Sequence, residues 1–197
     1  MIFLNYTVIP LEKKNNVLEI ACGTGEHAAY FCSNIAGLTY LPTEPQTEMH
    51  DSITAWAANS EEDISSVNSI LLAPIQVDVT SYDTEVISEI FPPCTIDVII
   101  CINMIHISPL SCTESLFKLA AEYLSPGGIL VLYGPFKENN YLCPSNVQFD
   151  ESLKSRCVDW GIRDLEKVMS VGESVSIRFE RKYEMPANNL CCLFRNA

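Results

Sequence analysis

Val17-Leu18-Glu19-Ile20-Ala21-Cys22-Gly23-Thr24-Gly25-Glu26-His27-Ala28 carries an apolar run, two glycines one residue apart, and the opening of an amphipathic segment. The run from Val17 to Ala21 reads as a buried strand. Ala28, Phe31, Cys32 and Ile35 then recur at i, i+3, i+4 and i+7, the spacing of one helix face. The stretch is a strand–glycine turn–helix unit, with a helix predicted over 25–36. Glycines let a ligand approach the backbone, and a helix N-terminus leaves N–H groups free beside it. A glycine pair alone says little. Here Glu19 stands four residues ahead of Gly23, giving E-x-x-x-G-x-G, and Glu44 falls at the expected end of a second strand. Together they point to a nucleoside-bearing cofactor.

Strand and helix patterns alternate outward from this unit. Leu38 to Leu41 is a second strand ending near Pro42, and a helix over 47–59 follows with Met49, Ile53, Trp56 and Ala57. Ile75 to Val79 reads as a third strand, and Val86, Ile87 and Ile90 mark a short helix. Ile96 to Ile102 is a nearly unbroken β-branched run, as a central parallel strand covered on both faces requires. Ser111-Cys112-Thr113-Glu114 has capping-box form and opens a helix with Leu116, Leu119, Ala120 and Tyr123 on one face. Ser125-Pro126-Gly127-Gly128 stops it, and Ile129 to Tyr133 is the fifth strand. A loop-rich insertion over 134–149 comes next, then helical stretches near 150–157 and 162–170. Val175, Ile177, Phe179 and Tyr183 alternate with polar residues as in a half-buried strand, and Leu190 to Phe194 returns after the turn Met185 to Asn189.

Five strand–helix units imply a parallel sheet with right-handed crossovers and helices on both faces. The last two strands, joined by a few residues, pair antiparallel. Five parallel strands plus a C-terminal antiparallel hairpin is the Rossmann-like α/β layout of class I methyltransferases, whereas dinucleotide-binding dehydrogenases lack the hairpin. The cofactor expected is therefore S-adenosyl-L-methionine.

The chain of 197 residues, 48% hydrophobic, suits a single domain over 1–197 with a sizeable core. No window approaches the ~20 apolar residues of a membrane span, and neither a membrane partner nor a secretory leader is expected. Twelve Lys and Arg against 25 Asp and Glu give a net charge of −13, which argues against direct nucleic-acid binding. Nine cysteines without a C-x-x-C pair read as small buried hydrophobes in a reducing, cytoplasmic setting. Three histidines without ligand spacing to cysteine leave no expected metal site. The oligomeric state is open.

In open α/β sheets, ligands sit beyond the carboxyl ends of the strands. Four places of that kind stand out. Ala21, Gly23 and Gly25 form the turn that would lie against the cofactor, with Glu19 either holding the turn or accepting from the cofactor's amino group through water. Glu44 is placed to accept both ribose hydroxyls, with Glu48 as the alternative if the strand ends later. Asp78 is placed to accept the adenine amino group while Val79 packs on the ring; it also suits a helix N-cap. The fourth place, Cys101-Ile102-Asn103-Met104-Ile105-His106, leaves strand four at the reaction centre. Asn103 faces the cofactor there, and His106 is a general base, a substrate-orienting group or a packing residue. Tyr133, ending strand five, could contact substrate. His27 reads as a cap or packing residue.

Beyond these, the chain resembles the methyltransferase-like 26 family from about Val17 to Phe194. The likeness rests on Leu18 to Ala28, Ser52-Ile53-Thr54-Ala55-Trp56, Asn103-Met104-Ile105-His106-Ile107-Ser108-Pro109, Pro126-Gly127-Gly128 and Tyr133-Gly134-Pro135-Phe136. It continues through Ser145 to Asp150, Trp160-Gly161-Ile162-Arg163-Asp164 and Met185-Pro186-Ala187-Asn188-Asn189. It implies a class I S-adenosylmethionine-dependent methyltransferase fold without naming an acceptor. In two places the chain departs from the family pattern. Glu26 replaces the usual Gln, and only Met1 to Asn16 precede strand one, without the family's helical Arg-Asn-Lys-like segment. Met1 to Leu11 is therefore expected to pack along the sheet or stay poorly ordered, leaving the cofactor cleft open.

The leading expectation is a methyltransferase acting on a small molecule or an exposed protein side chain. Methyl transfer from a sulfonium depends mainly on alignment and water exclusion, so a catalytic dyad is not required. A non-catalytic binding or partner subunit on the same fold is the alternative. Nicotinamide chemistry is disfavoured by the hairpin.

Overall fold

The protein is described by a computed structural model covering residues 14–81 and 85–197. Chain order runs β1 (Asn15–Ile20), α1 (Glu26–Asn34), β2 (Leu38–Pro42), a 3-10 turn (Thr47–Met49), α2 (His50–Asn59), α3 (Glu61–Ser66), β3 (Ile70–Leu71), α4 (Glu85–Ile90) and β4 (Ile96–Ile102). It continues with α5 (Leu110–Tyr123), β5 (Leu124–Gly134), β6 (Phe136–Lys137), α6 (Pro144–Arg156), β7 (Arg163–Asp164), α7 (Leu165–Glu173), β8 (Ile177–Met185) and β9 (Asn189–Asn196). The main sheet has seven strands in the order β3-β2-β1-β4-β5-β9-β8. β3 through β5 run parallel in that order, and β9 joins β5 and β8 antiparallel. The expected layout of five parallel strands closed by a hairpin is the one observed.

Side-chain alternation along the strands builds two cores. Leu18, Ile20, Ile99, Cys101, Leu130, Leu132 and Phe194 face α4, α5 and α7. Val17, Tyr40, Val98, Ile100, Val131 and Leu193 face α1 and α3. β4 lies between two parallel neighbours and is buried on both sides, which explains its continuous β-branched composition. Because β1 and β4 are adjacent and their helices leave toward opposite faces, their carboxyl ends open a crevice between them.

Several local expectations are corrected. The third strand is Ile70–Leu71, opposite Thr39 and Tyr40, not Ile75 to Val79. Pro74 has no N–H to continue a ladder. Ile75 keeps a single bridge to Thr43, and the chain then leaves the sheet edge. α3 was not foreseen. α5 starts at Leu110 with Pro109 at its N-cap and no side-chain cap, so Ser111 lies within the helix and the capping box does not form. β5 starts at Leu124: Leu124 pairs with Ile96 and Ile129 with Val98, so Ser125 to Gly128 bulge out of a continuous strand. The 134–149 insertion is partly ordered into β6, which pairs with β7, and the first turns of α6, which begins at Pro144. The expectation for Met1 to Leu11 lies outside the described residues.

Candidate functional site

The turn after β1 is held by its neighbours. Ala21, Gly23 and Gly25 take φ values of 54°, 57° and 84°, the left-handed region that glycine enters at least cost. A Cβ on Gly25 would lie 2.8 Å from the Ile53 Cα, whereas one on Gly23 would meet nothing within 4 Å. Gly25 thus lets α2 close against the turn, and Gly23 leaves its outer side open. Ser52 Oγ also donates to the Thr24 carbonyl at 3.0 Å. Two residues of α2 therefore explain the Ser52-Ile53 stretch.

Glu44 is buried at the end of β2. Its Oε2 accepts from Gly23 N–H at 2.8 Å and its Oε1 from Gln46 N–H at 3.1 Å. Each oxygen keeps further acceptor capacity. His50 Nε2 lies 3.0 Å from the Glu44 carbonyl oxygen and steadies the same residue. Glu19 is fully buried; Tyr40 O–H donates to its Oε2 at 2.9 Å, while Oε1 has no partner. Burial pushes the Glu19 carboxyl up to about 8, with the Tyr40 hydrogen bond opposing and the Glu44 charge adding. Asp78 is exposed, and its Oδ1 accepts from Thr80 N–H at 2.8 Å and Thr80 O–H at 2.7 Å. That pairing fixes a local turn, with Ser81 N–H donating to the Asp78 carbonyl.

These groups surround a cavity of about 510 Å³ above β1, β2 and β4. Glu19, Ala21, Gly23, Glu44, Asp78, Val79 and Asn103 line it, together with Met49, Met104, Ile107 and Cys112. Gly25 does not line it; Ile53 accounts for its requirement. Glu26 is exposed and outside the lining. Among the described residues the walls carry three carboxyl groups, Glu19, Glu44 and Asp78, and no Lys or Arg. Such a cleft attracts cationic ligands and repels pyrophosphate.

A second cavity of about 330 Å³ adjoins the first and shares His27, Ile102 and Asn103 with it. His27 does not cap α1, whose N-cap is Gly25, but it packs as expected, its ring stacked on Phe31 at 6.3 Å, and the residue lines both cavities. Asn103 takes φ 58°, and its N–H donates to the Tyr133 carbonyl at 2.8 Å. Tyr133 lines only the second cavity, and its hydroxyl accepts from Asn189 Nδ2 at 3.3 Å.

His106 lines neither cavity. It is 4% exposed, its ring stands edge-on to Phe149 at 5.6 Å, and Nδ1 has no partner. Burial, with the Arg163 guanidinium adding, pulls its pKa down to about 4, so the imidazole is neutral at neutral pH. The loop carrying it is braced from β7. Gly161 N–H donates to the His106 carbonyl at 3.0 Å, Arg163 Nε donates to the Ile105 carbonyl at 2.9 Å, and Arg163 Nη2 donates to Ser108. Asp150 Oδ1 in turn accepts from Ile162 N–H at 2.7 Å. Spacing assigns no role to Arg163, although the Trp160 to Asp164 stretch that carries the family resemblance contains it.

All nine cysteines are free. Burial raises the thiols of Cys22, Cys32, Cys101, Cys191 and Cys192, for instance Cys191 to about 11, which makes them poor nucleophiles. Among the described residues no group of three or more His, Cys, Asp or Glu could hold a metal, and no helix is long and apolar enough to cross a membrane.

Comparison with known proteins agrees with this architecture. The chain is similar in structure to the mitomycin 7-O-methyltransferase MmcR, with TM-score 0.73 and 16% identity over 96% of this chain and 51% of that one. It is similar to the S-adenosylmethionine-dependent methyltransferase SibL in its apo form, with TM-score 0.71 and 11% identity over 94% and 51%. It also matches the PH0226 protein from Pyrococcus horikoshii OT3, with TM-score 0.64 and 14% identity over 94% and 84%. The chain spans about half the length of the first two. At such identities the likeness shows the fold, a Rossmann-like methyltransferase sheet. A family model described as "Protein of unknown function (DUF938)" matches residues 6–196, nearly the whole chain. The chain belongs to that family.

Proposed function

We propose that the chain is an S-adenosylmethionine-dependent methyltransferase of the methyltransferase-like 26 type, acting on a small molecule or an exposed protein side chain. One observation carries the reading. At the place where this fold takes its ligand, the cleft holds the Glu44 and Asp78 carboxylates, with the buried Glu19 carboxyl mostly protonated behind them, and, among the described residues, no Lys or Arg. A sulfonium with an ammonium group suits that field, and a dinucleotide pyrophosphate does not.

The residues fit such a cofactor. Glu44 would accept the two ribose hydroxyls, since both oxygens retain acceptor capacity after binding Gly23 and Gln46. Gly23 leaves space beside the turn, and Val79 with Asp78 offers a surface for a purine ring and an acceptor for its amino group. Glu19 holds the turn from below through Tyr40, its unpaired oxygen available to a bridging water. The bound cofactor supplies an activated methyl group. Asn103 fixes the boundary between donor and acceptor, Tyr133 contacts the acceptor, and His106 positions the loop behind them. Nine free thiols, five of them buried, support a reducing, cytoplasmic setting.

Isothermal calorimetry with the full chain tests the reading. S-adenosylmethionine and S-adenosylhomocysteine bind, and NADH does not. Preferential NADH binding, or no binding of either sulfur ligand, overturns it.

A further inference from the structure

The second cavity differs from the first in chemistry. Its floor is the α1-facing side of three adjacent strands, with Ile100, Val131 and Cys191 from β4, β5 and β9. Phe31 closes one side. Among the described residues no Asp, Glu, Lys or Arg lines it, in a chain of net charge −13. Its volume of about 330 Å³ falls at the lower end of the roughly 300–1,000 Å³ typical of small-molecule pockets. Its polar lining is Asn103 and His27, on the wall shared with the acid-lined cleft, and Tyr133, whose carbonyl accepts from the Asn103 N–H.

We propose that this cavity is the acceptor compartment, and that it takes a small uncharged molecule with a flat apolar body and one hydroxyl, the hydroxyl held at Asn103 and Tyr133. The inference rests on the methyltransferase reading and extends it to the substrate class. A protonated amine would find no carboxylate in the compartment, and an acid would find no Lys or Arg, only the His27 imidazole on the shared wall; both would lose more hydration than they regain. A neutral ring with a hydroxyl buries its apolar surface and keeps its hydrogen bonds. In the transfer, the hydroxyl oxygen forms a bond to the methyl carbon. The carbon–sulfur bond breaks with its electron pair going to sulfur, and the hydroxyl proton leaves to water. Asn103 borders both cavities, so a hydroxyl held there is next to the donor, as in-line transfer demands.

The test titrates the full chain with 2-naphthol, naphthalene and 2-naphthoate, each with and without S-adenosylhomocysteine, and measures S-adenosylhomocysteine affinity separately by calorimetry. 2-Naphthol binds about tenfold more tightly than 2-naphthoate. Val131→Phe, which fills the floor, weakens 2-naphthol about tenfold and leaves S-adenosylhomocysteine affinity unchanged. Tyr133→Phe, a milder change, weakens 2-naphthol about fivefold and leaves naphthalene unchanged. Tighter binding of 2-naphthoate, or no binding of the neutral probes by a chain that binds S-adenosylhomocysteine, overturns the proposal. So does equal 2-naphthol affinity in Tyr133→Phe and the unaltered chain. Absence of S-adenosylhomocysteine binding overturns the function reading instead, because the naphthol titrations without it judge the compartment on their own.

Discussion

The two cavities share His27, Ile102 and Asn103, yet they are made differently. The larger is built from turns: left-handed residues at 21 and 23, the loop after β2, and the strand-free segment around Asp78. The smaller is built on the sheet, with side chains of three hydrogen-bonded strands as its floor. Turns bring backbone N–H groups and carboxylates to the surface at defined angles, which suits a polar, charged ligand. A strand face offers an apolar plane and little else. The fold thus places recognition by hydrogen bonding and recognition by apolar contact on opposite sides of one residue, Asn103.

The largest expected effect separates the two glycines of the turn. Gly25→Ala sets a Cβ 2.8 Å from the Ile53 backbone at φ 84°, so α2 has to move. A loss of roughly 3 kcal/mol or more is expected. Gly23→Ala meets no neighbour and costs about 1–2 kcal/mol for its left-handed backbone. It intrudes instead on the open side of the turn and weakens S-adenosylmethionine. Chemical denaturation and calorimetry on both variants give the comparison. A Gly25→Ala chain as stable as Gly23→Ala would show that α2 does not set the turn.

Next in size is the contribution of Glu19, which asks whether the charge of the larger cavity comes from all three of its acids. The folded carboxyl titrates near 8 and an unfolded one near 4.5, so the folded state holds the proton more tightly. Stability from this site is whole below pH 4.5 and is lost as pH rises through 8. The loss has an upper limit of about 5 kcal/mol. Glu19→Gln keeps the neutral shape at every pH. Its melting temperature should match the unaltered chain near pH 5 and exceed it by several degrees at pH 9. A constant gap across that range would mean that Glu19 is ionised throughout.

Glu44 ranks third and is specific to the cofactor. Glu44→Ala removes two charge-assisted bonds to ribose and the tether to Gly23, for a loss of about 2 kcal/mol, about thirtyfold in S-adenosylmethionine affinity. 2-Naphthol binding should not change. If both ligands weaken alike, the two cavities are not separable.

The sheet and the glycine turn were readable because their causes are local. A β-branched run such as Ile96 to Ile102 has few other uses, and E-x-x-x-G-x-G fixes a strand end and a helix start together. Glu19 and Glu44 were readable for the same reason, since each stands near the end of a strand at the crevice, whereas Asp78 lines the cavity from a segment outside the strand expected to carry it. What escaped depends on contacts distant in sequence. Gly25 answers to Ile53, 28 positions on, and the third strand was misplaced because pairing with Thr39 and Tyr40, not apolar content, selects Ile70–Leu71. Arg163 acts through carbonyls of Ile105 and Ser108, more than 50 residues away. The acceptor floor combines β4, β5 and β9, and no window of sequence shows that Ile100, Val131 and Cys191 share a face.

The smallest expected effect concerns His106, whose position behind the shared wall distinguishes a support from a catalyst. Its folded pKa, about 4, lies below the ordinary value of 6.5, so between those limits the unfolded chain binds more protons. Stability from this site is present above pH 6.5 and is lost as pH falls toward 4. His106→Gln cannot titrate. The variant should therefore melt below the unaltered chain at pH 7, through lost packing against Phe149, with the gap narrowing by a few degrees as pH falls to 5. S-adenosylmethionine affinity at pH 7 should stay within about twofold, because the ring lines neither cavity. A melting gap that stays constant from pH 7 to 5 would place the imidazole in contact with water. Loss of cofactor affinity in a folded His106→Gln chain would move it from the wall's support into the donor site.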